Sequence, residues 1–496
     1  MAMRKDKKPK TGTRRALSFM FGQRFVTLVF NFGSTIILAR LLTPTEIGIF
    51  SVAAGLLALA NMLRDFGVSE FLVQEPLLDK AMVRTVFTMN LAIAWFLGVL
   101  VFASSHAIGD FYADPAIGRV LKVMSIPFFL LPFGTTTNAL LKREMEFGKL
   151  AMIHTGGSIA RSLVKVLLAL SGFSYMSLAW GSVAGVLLTV VGFIVWGWRY
   201  RVTGLSFAHW RRVLHFGSNR TISDVAAQLG SQSPNLIIGK MLGMDGAGLY
   251  SRGYGLVSMF RTNFNSAIET VAFPAFAREH RDYARAPQLF LKALVYVTGI
   301  SWPFFAAGVI LAHPIINIMF GDQWDAAVPL TRWLCGAAMV GTLIYQCNGF
   351  LVALGRVRTV TRVEVQYQLA RVGITVAAAF YGLEAVAAVQ VLVYAFAVVL
   401  YYGQMRVYEV LAMRTVIRAL APSAVVTLAT CVVPVAVVLT PNFLARHMFA
   451  AFAVAFIGGC AGWLLAIVFT RHPLWDELKR VISRLPGSRH YRVIRS

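Results

Sequence analysis

Ionisable and hydrogen-bonding residues recur at helical spacing inside stretches that are otherwise apolar. Arg24, Thr27, Asn31 and Ser34 share one helical face, as do Asp224, Gln228, Ser231 and Asn235. Asn61, Asp65 and Ser69 form a third stripe and Arg261, Asn265 and Glu269 a fourth. Two more are His154, Ser158, Arg161 and Lys165, and Glu364, Gln368, Arg371 and Thr375. Charged groups among membrane-buried residues are costly, so they face a cavity or one another. A guanidinium there offers paired donors matched to phosphate oxygens. Arg24, Asn31, Arg161, Lys165, Arg261 and Arg371, with Lys122 and Arg332, are therefore the candidate substrate-binding residues. Asp224, Glu269, Asp65 and Glu364 are candidates to take up a coupling H⁺ or Na⁺. The expected chemistry is binding and ion exchange, not bond making. The sequence has no D-x-D, H-E-x-x-H, G-x-S-x-G or P-loop, so metal-dependent transfer, acyl hydrolysis and ATP-driven pumping lack their parts. Cys335, Cys347, Cys431 and Cys460 all lie in apolar stretches, which predicts no disulfide framework, no metal site and no cofactor beyond the coupling ion.

These stripes need helices to carry them. Of 496 residues, 57% are hydrophobic and 14% charged, against roughly 25% charged in a soluble domain. That excludes both a soluble globular protein and a disordered chain. Fourteen stretches reach the roughly 20 apolar residues a crossing needs: 18–39, 46–68, 85–106, 119–141, 152–172, 175–198, 219–242, 247–275, 288–311, 328–351, 361–381, 383–405, 419–440 and 447–470. The net charge of +25 could suggest nucleic acid. Placement argues otherwise. Seven basic residues precede the first span and seven follow Thr470, while the external loops hold only Arg40 and Arg446. This asymmetry puts both termini in the cytoplasm and reads as topology, with no nucleic-acid partner. The basic start runs into an apolar segment without an A-x-A site, which predicts an uncleaved first span. The fold class is thus an all-α polytopic membrane protein of 14 transmembrane helices. In the segment 471–496, Leu474, Leu478, Val481, Ile482 and Leu485 share a face, the pattern of an interfacial helix.

Sliding the chain by 200 residues places Ile37 on Ile237, Arg40 on Lys240, Leu42 on Leu242, Gly48 on Gly248 and Ser51 on Ser251. At 210, Lys122 meets Arg332, Asn138 meets Asn348, Leu141 meets Leu351, Arg161 meets Arg371 and Gly172 meets Gly382. Two parallel six-helix repeats follow, residues 18–198 and 219–405. A linker at 199–218 joins them, two extra helices occupy 419–470, and basic tails cover 1–17 and 471–496. Transport sites in such duplicated proteins lie between the repeats. Gly181 and Gly185, Gly239 and Gly243, and Gly458 and Gly462 mark close helix packing. A monomer is expected.

ILARLLTPTEIGIFSVA, RDFGVSEFLVQ and NALLKREMEFGKLA resemble the oligosaccharide flippase (Wzx-type) family of the multidrug/oligosaccharidyl-lipid/polysaccharide exporter superfamily, over about residues 14–440. The resemblance implies two six-helix bundles facing a central cavity in the bacterial inner membrane. Undecaprenyl-diphosphate-linked oligosaccharide would cross there from the cytoplasmic to the periplasmic leaflet by ion-coupled alternating access, for exopolysaccharide, capsule or lipopolysaccharide O-antigen synthesis. It implies membrane lipids as surroundings and a polysaccharide polymerase and co-polymerase as partners. Arg24 matches the sort of position at which related flippases carry a cavity arginine. The alternative is a cation-coupled multidrug exporter of the sister branch, for which 12 spans are usual. The cationic excess and the extra helix pair favour the anionic lipid.

Overall fold

The computed structural model describes residues 13–65, 68–75, 78–198, 202, 204–279, 286–405, 413–440 and 446–482. They are helical, with no strand among them. The helices are α1 (Thr13–Leu41), α2 (Pro44–Asp65), α3 (Val68–Gln74), α4 (Lys80–Phe111), α5 (Pro115–Leu130), α6 (Pro132–Arg143), α7 (Phe147–Leu170), α8 (Met176–Trp196), α9 (Trp210–Met241) and α10 (Gly243–Glu279). They continue as α11 (Ala286–Ile310), α12 (Ala312–Phe320), α13 (Ala327–Gly341), α14 (Tyr345–Ala353), α15 (Val357–Ala379), α16 (Leu383–Met405), α17 (Met413–Val438), α18 (Met448–Phe469) and α19 (Pro473–Ile482).

All fourteen apolar stretches fall on a helix or a broken helix pair. Among the described residues eight helices are long and apolar enough to cross a membrane, nine with the bent pair α5–α6. In α7 and α15 a polar stripe interrupts the apolar surface, whereas many side chains of α1, α9 and α10 lie outside the described residues. The fourth stretch was expected to be one helix. It bends by 51° at Leu131, because Pro132 opens α6 at its first turn and Pro127 removes a donor from the turn before. Large apolar side chains such as Leu167, Leu428 and Phe469 lie outward, as a lipid-facing surface requires.

The repeat is visible in the element bounds. α5, α6, α7 and α8 recur about 210 residues on as α13, α14, α15 and α16. Left-handed backbone recurs at the same step, at Met145 (φ 58°) and Gly355 (φ 74°), and at Gly172 (φ 82°) and Gly382 (φ 104°). All four follow helix ends, where this conformation stops the helix.

Two compact units comprise residues 1–248 and 249–496. In the first, α7 packs on α8 and α1, α4 on α5, and α2 on α9. Gly48 and the start of α10 cross at backbone distance. A Cβ on Gly48 would stand 1.7 Å from the Met244 carbonyl oxygen, and one on Gly248 1.9 Å from that of Pro44. Pro44 and Met244, like Gly48 and Gly248, are one repeat apart, so the crossing is symmetric: each glycine meets the counterpart of the residue that the other glycine meets. Two of the quoted sequence motifs also meet here: Arg143 Nη1 donates to the carbonyls of Leu72 (2.9 Å) and Glu75, capping α3, and Glu75 pairs with Arg212 at 3.0 Å.

In the second unit, α13 and α15 pack on α16, and α11 on α13 and α17. Phe350, Leu351, Val393, Ala397 and Tyr401 form its largest core cluster. The extra pair α17–α18 closes on Gly458 and Gly462, where a Cβ would meet Val433 at 2.4 Å and the Ala429 carbonyl at 2.7 Å. The tail helix α19 was expected to lie on lipid; its first turn is docked on protein, with Leu474 buried among Val426, Ala466 and Ile467, and the side chains of Val481, Ile482 and Leu485 on the same face lie outside the described residues.

Candidate functional site

Arg371 sits in the middle of α15 and is 3% exposed. Its Nε donates to Gln390 Oε1 (3.2 Å) on α16, and Gln390 Nε2 lies 3.3 Å from both Thr375 Oγ1 and the Val386 carbonyl. The guanidinium stands 5.9 Å from the Tyr394 ring. Arg261, on α10, donates to the hydroxyls of Tyr394 (3.1 Å) and Tyr254 (3.0 Å). Tyr250 stacks on Tyr254 at 6.2 Å, and its hydroxyl is buried without a hydrogen-bond partner. Two guanidiniums, three tyrosines and a glutamine thus enclose a cavity with about 10 Å³ open to a water centre, room for about one molecule. No carboxylate lies within ion-pair distance of Arg371 among the described residues. Glu364, two turns away on α15, is committed elsewhere: it accepts from Gln368 Nε2 and the Tyr401 hydroxyl, both at 2.7 Å.

A buried charge is tolerated when hydrogen bonds and aromatic faces replace its hydration. Here hydroxyl and amide groups do so without neutralising it. Arg371 thus brings to the cluster a positive charge that no described carboxylate offsets, together with donors, which suits an anion with oxygen acceptors.

The repeat-matched residues in the first unit are arranged differently. Arg161 is exposed, with its stem against Gly185 of α8, where a Cβ would come within 2.7 Å of Arg161 Cβ. Lys165 Nζ lies 5.4 Å from the Phe50 ring. Asn31 Oδ1 accepts from Ser158 (3.2 Å) and Ser162 (3.3 Å), tying α1 to α7. Asp65 pairs with Arg64 at 2.6 Å. Lys122 and Arg332 are exposed on α5 and α13. The side chains of Arg24, Asp224 and Glu269 lie outside the described residues. Of the eight candidate substrate residues, the structure thus brings Arg261 and Arg371 into one cluster. Tyr250, Tyr254, Gln390 and Tyr394 were not expected. Tyr250, Tyr254 and Arg261 do share a face of α10, a signal readable from the sequence. No group of metal-binding side chains occurs among the described residues.

Fold and site together are those of a duplicated, all-helical membrane protein with ionisable groups held among its helices. The polysaccharide biosynthesis protein family matches residues 37–329, more than half of the chain, and the chain belongs to that family. It is 27% identical over 327 residues to the lipopolysaccharide biosynthesis protein WzxC of Escherichia coli (strain K12), covering 65% of this chain and 66% of that one. To the succinoglycan biosynthesis transport protein ExoT of Rhizobium meliloti (strain 1021) it is 28% identical, over 69% of this chain and 66% of that one. The match thus spans just under two thirds of either relative. Among solved structures, the lipid II flippase MurJ in an inward closed conformation superposes with a TM-score of 0.75 at 12% identity, over 92% of this chain and 99% of that one. At that identity the likeness is one of fold.

Proposed function

We propose that the chain is a flippase of the bacterial inner membrane, carrying an undecaprenyl-diphosphate-linked oligosaccharide to the outer leaflet by ion-coupled alternating access through 14 spans. On this reading it is a transporter and not an enzyme, and a polymerase and co-polymerase receive its product. The observation that carries the reading is Arg371, buried beside Arg261 and, among the described residues, without a carboxylate at ion-pair distance. A multidrug exporter for cations would place acidic groups there instead. The names of WzxC and ExoT support a polysaccharide precursor as cargo.

The test is binding of the lipid-linked oligosaccharide to purified full-length protein in lipid nanodiscs. A charge-assisted hydrogen bond contributes about 1.5–3 kcal/mol, so Arg371→Ala should weaken binding roughly tenfold to a hundredfold. Arg371→Lys keeps the charge but loses the planar fork, and should fall in between. A well-folded Arg371→Ala protein with wild-type affinity would show the cluster to be structural.

A further inference from the structure

The seam between α1 and α7, within residues 1–248, has two halves. Its upper half is zipped by Asn31, Ser158 and Ser162, with Ser34 Oγ donating to Ser162 Oγ at 3.4 Å. Its lower half opens into a groove of about 520 Å³. Ala151, Met152 and Gly156 of α7 form one wall, Gly22 and Val26 of α1 the other, and Trp196 of α8 closes one end. That volume falls within the range of small-molecule sites, roughly 300–1,000 Å³. Among the described residues Gln23 and Thr155 are the polar members of its lining, and none of these is charged.

Depth decides what such a groove can hold. With the basic segments cytoplasmic, α7 starts at the cytoplasmic face, and at 1.5 Å per residue the groove spans about 6–14 Å along the helix. Arg161 lies about 21 Å along it. A phospholipid at rest in that leaflet would set its charged head group and esters near the groove's depth, against described lining residues that offer them two neutral polar side chains. A lipid whose diphosphate has been drawn inward to the depth of Arg161 presents the opposite profile. Its chain, left behind in the cytoplasmic leaflet, passes the apolar wall directly below.

We propose that this groove holds the first part of the substrate's isoprenoid chain while the diphosphate lies at the depth of Arg161. The inference rests on the flippase reading and adds a chain-binding site to it.

The glycines supply the test. A Cβ on Gly156 would meet nothing within 4 Å, so Gly156→Leu introduces its side chain into the groove from an open position. Gly148, in the first turn of the same helix and outside the groove, is equally open, and Gly148→Leu is the control. Full-length protein in nanodiscs would be titrated with the undecaprenyl-diphosphate oligosaccharide, a short-chain analogue, and the same sugar diphosphate without a chain. Gly156→Leu should lower affinity for the long-chain compound about tenfold, towards that of the short one, and leave chain-free binding and Gly148→Leu at wild-type values. Unchanged long-chain affinity in Gly156→Leu, with chain-free binding intact, would overturn the groove and spare the flippase reading. Equal competition by ordinary phospholipid would also overturn it. A wild-type protein that bound none of the three compounds would take the flippase reading down first.

Discussion

His472, 1% exposed at the turn between α18 and α19, shows how one side chain can hold an element in place. Its Nδ1 accepts the Leu474 amide at 3.3 Å, which assigns the proton to Nε2, 3.1 Å from Ser423 Oγ on α17. Thr298 Oγ1 of α11 is 3.0 Å from that same hydroxyl. Burial holds the imidazole below its usual value. Of the charged groups around this docking, Glu477 lies against the Tyr296 hydroxyl at 3.4 Å and Arg471 is exposed. A histidine whose folded pKa is depressed binds its proton more readily once undocked. Docking of α19 is therefore strongest above the ordinary histidine value of about 6.5 and weakens as pH falls through it, by at most about 1.4 kcal/mol per pH unit. Hydrogen exchange at the Leu474 amide should show protection falling between pH 7 and pH 5.5, and His472→Phe should remove that dependence. Flat protection in the wild type would mean the ring is not what senses pH. At this scale the sequence exposes charge and hides its company. Arg261 and Arg371 stand out because arginine is rare in apolar runs, whereas Tyr394 and Gln390 look like ordinary interior residues until three helices bring them together.

Among the elements, the length of its apolar runs marked fourteen stretches, each of which lies on helix, and the repeat made Gly48 and Gly248 equivalent. It did not foretell that the pair would touch, since a shared register fixes equivalence and not proximity. Nor did hydropathy reveal the break at Leu131: an apolar stretch keeps its mean hydropathy through a bend, and Pro132 marks the site only when read as a helix start. The Gly48 crossing makes a sharp prediction. A methyl there must displace the Met244 carbonyl, and overpacking of this kind costs about 1–3 kcal/mol. Gly48→Ala and Gly248→Ala should each lower the thermal midpoint of the protein in detergent by several degrees. Gly255→Ala on the same α10, whose Cβ meets nothing within 4 Å, should leave it unchanged or raise it, because alanine is the better helix former. Equal behaviour of all three variants would show that the backbones at the crossing separate freely.

For the molecule as a whole, composition specified lipid as the solvent, and the duplication supplied the architecture. What composition blurs is the assignment of polar helices, because the stripes that suggest a transport path also depress the hydropathy that marks a span. α7 and α15 fall below the mean hydropathy of a crossing for this reason, while α2, which carries Asn61 and Asp65 near its end, reaches it. Charge placement can arbitrate, since an even number of crossings puts residues 199–209 and the segment after Ile482 on the same side as the basic start, and 312–326 on the other. Fluorescent-protein fusions at the first two sites should be bright and alkaline phosphatase fusions silent. A phosphatase fusion in 312–326 should be active. An active phosphatase after Ile482 would require an odd count, and the helix to withdraw from the bilayer would then be one of those that carry a polar stripe. If α15 were the one withdrawn, Arg371 would lose the low-dielectric surroundings that make its lack of a carboxylate informative. The topology measurement therefore comes before any interpretation of the arginine variants.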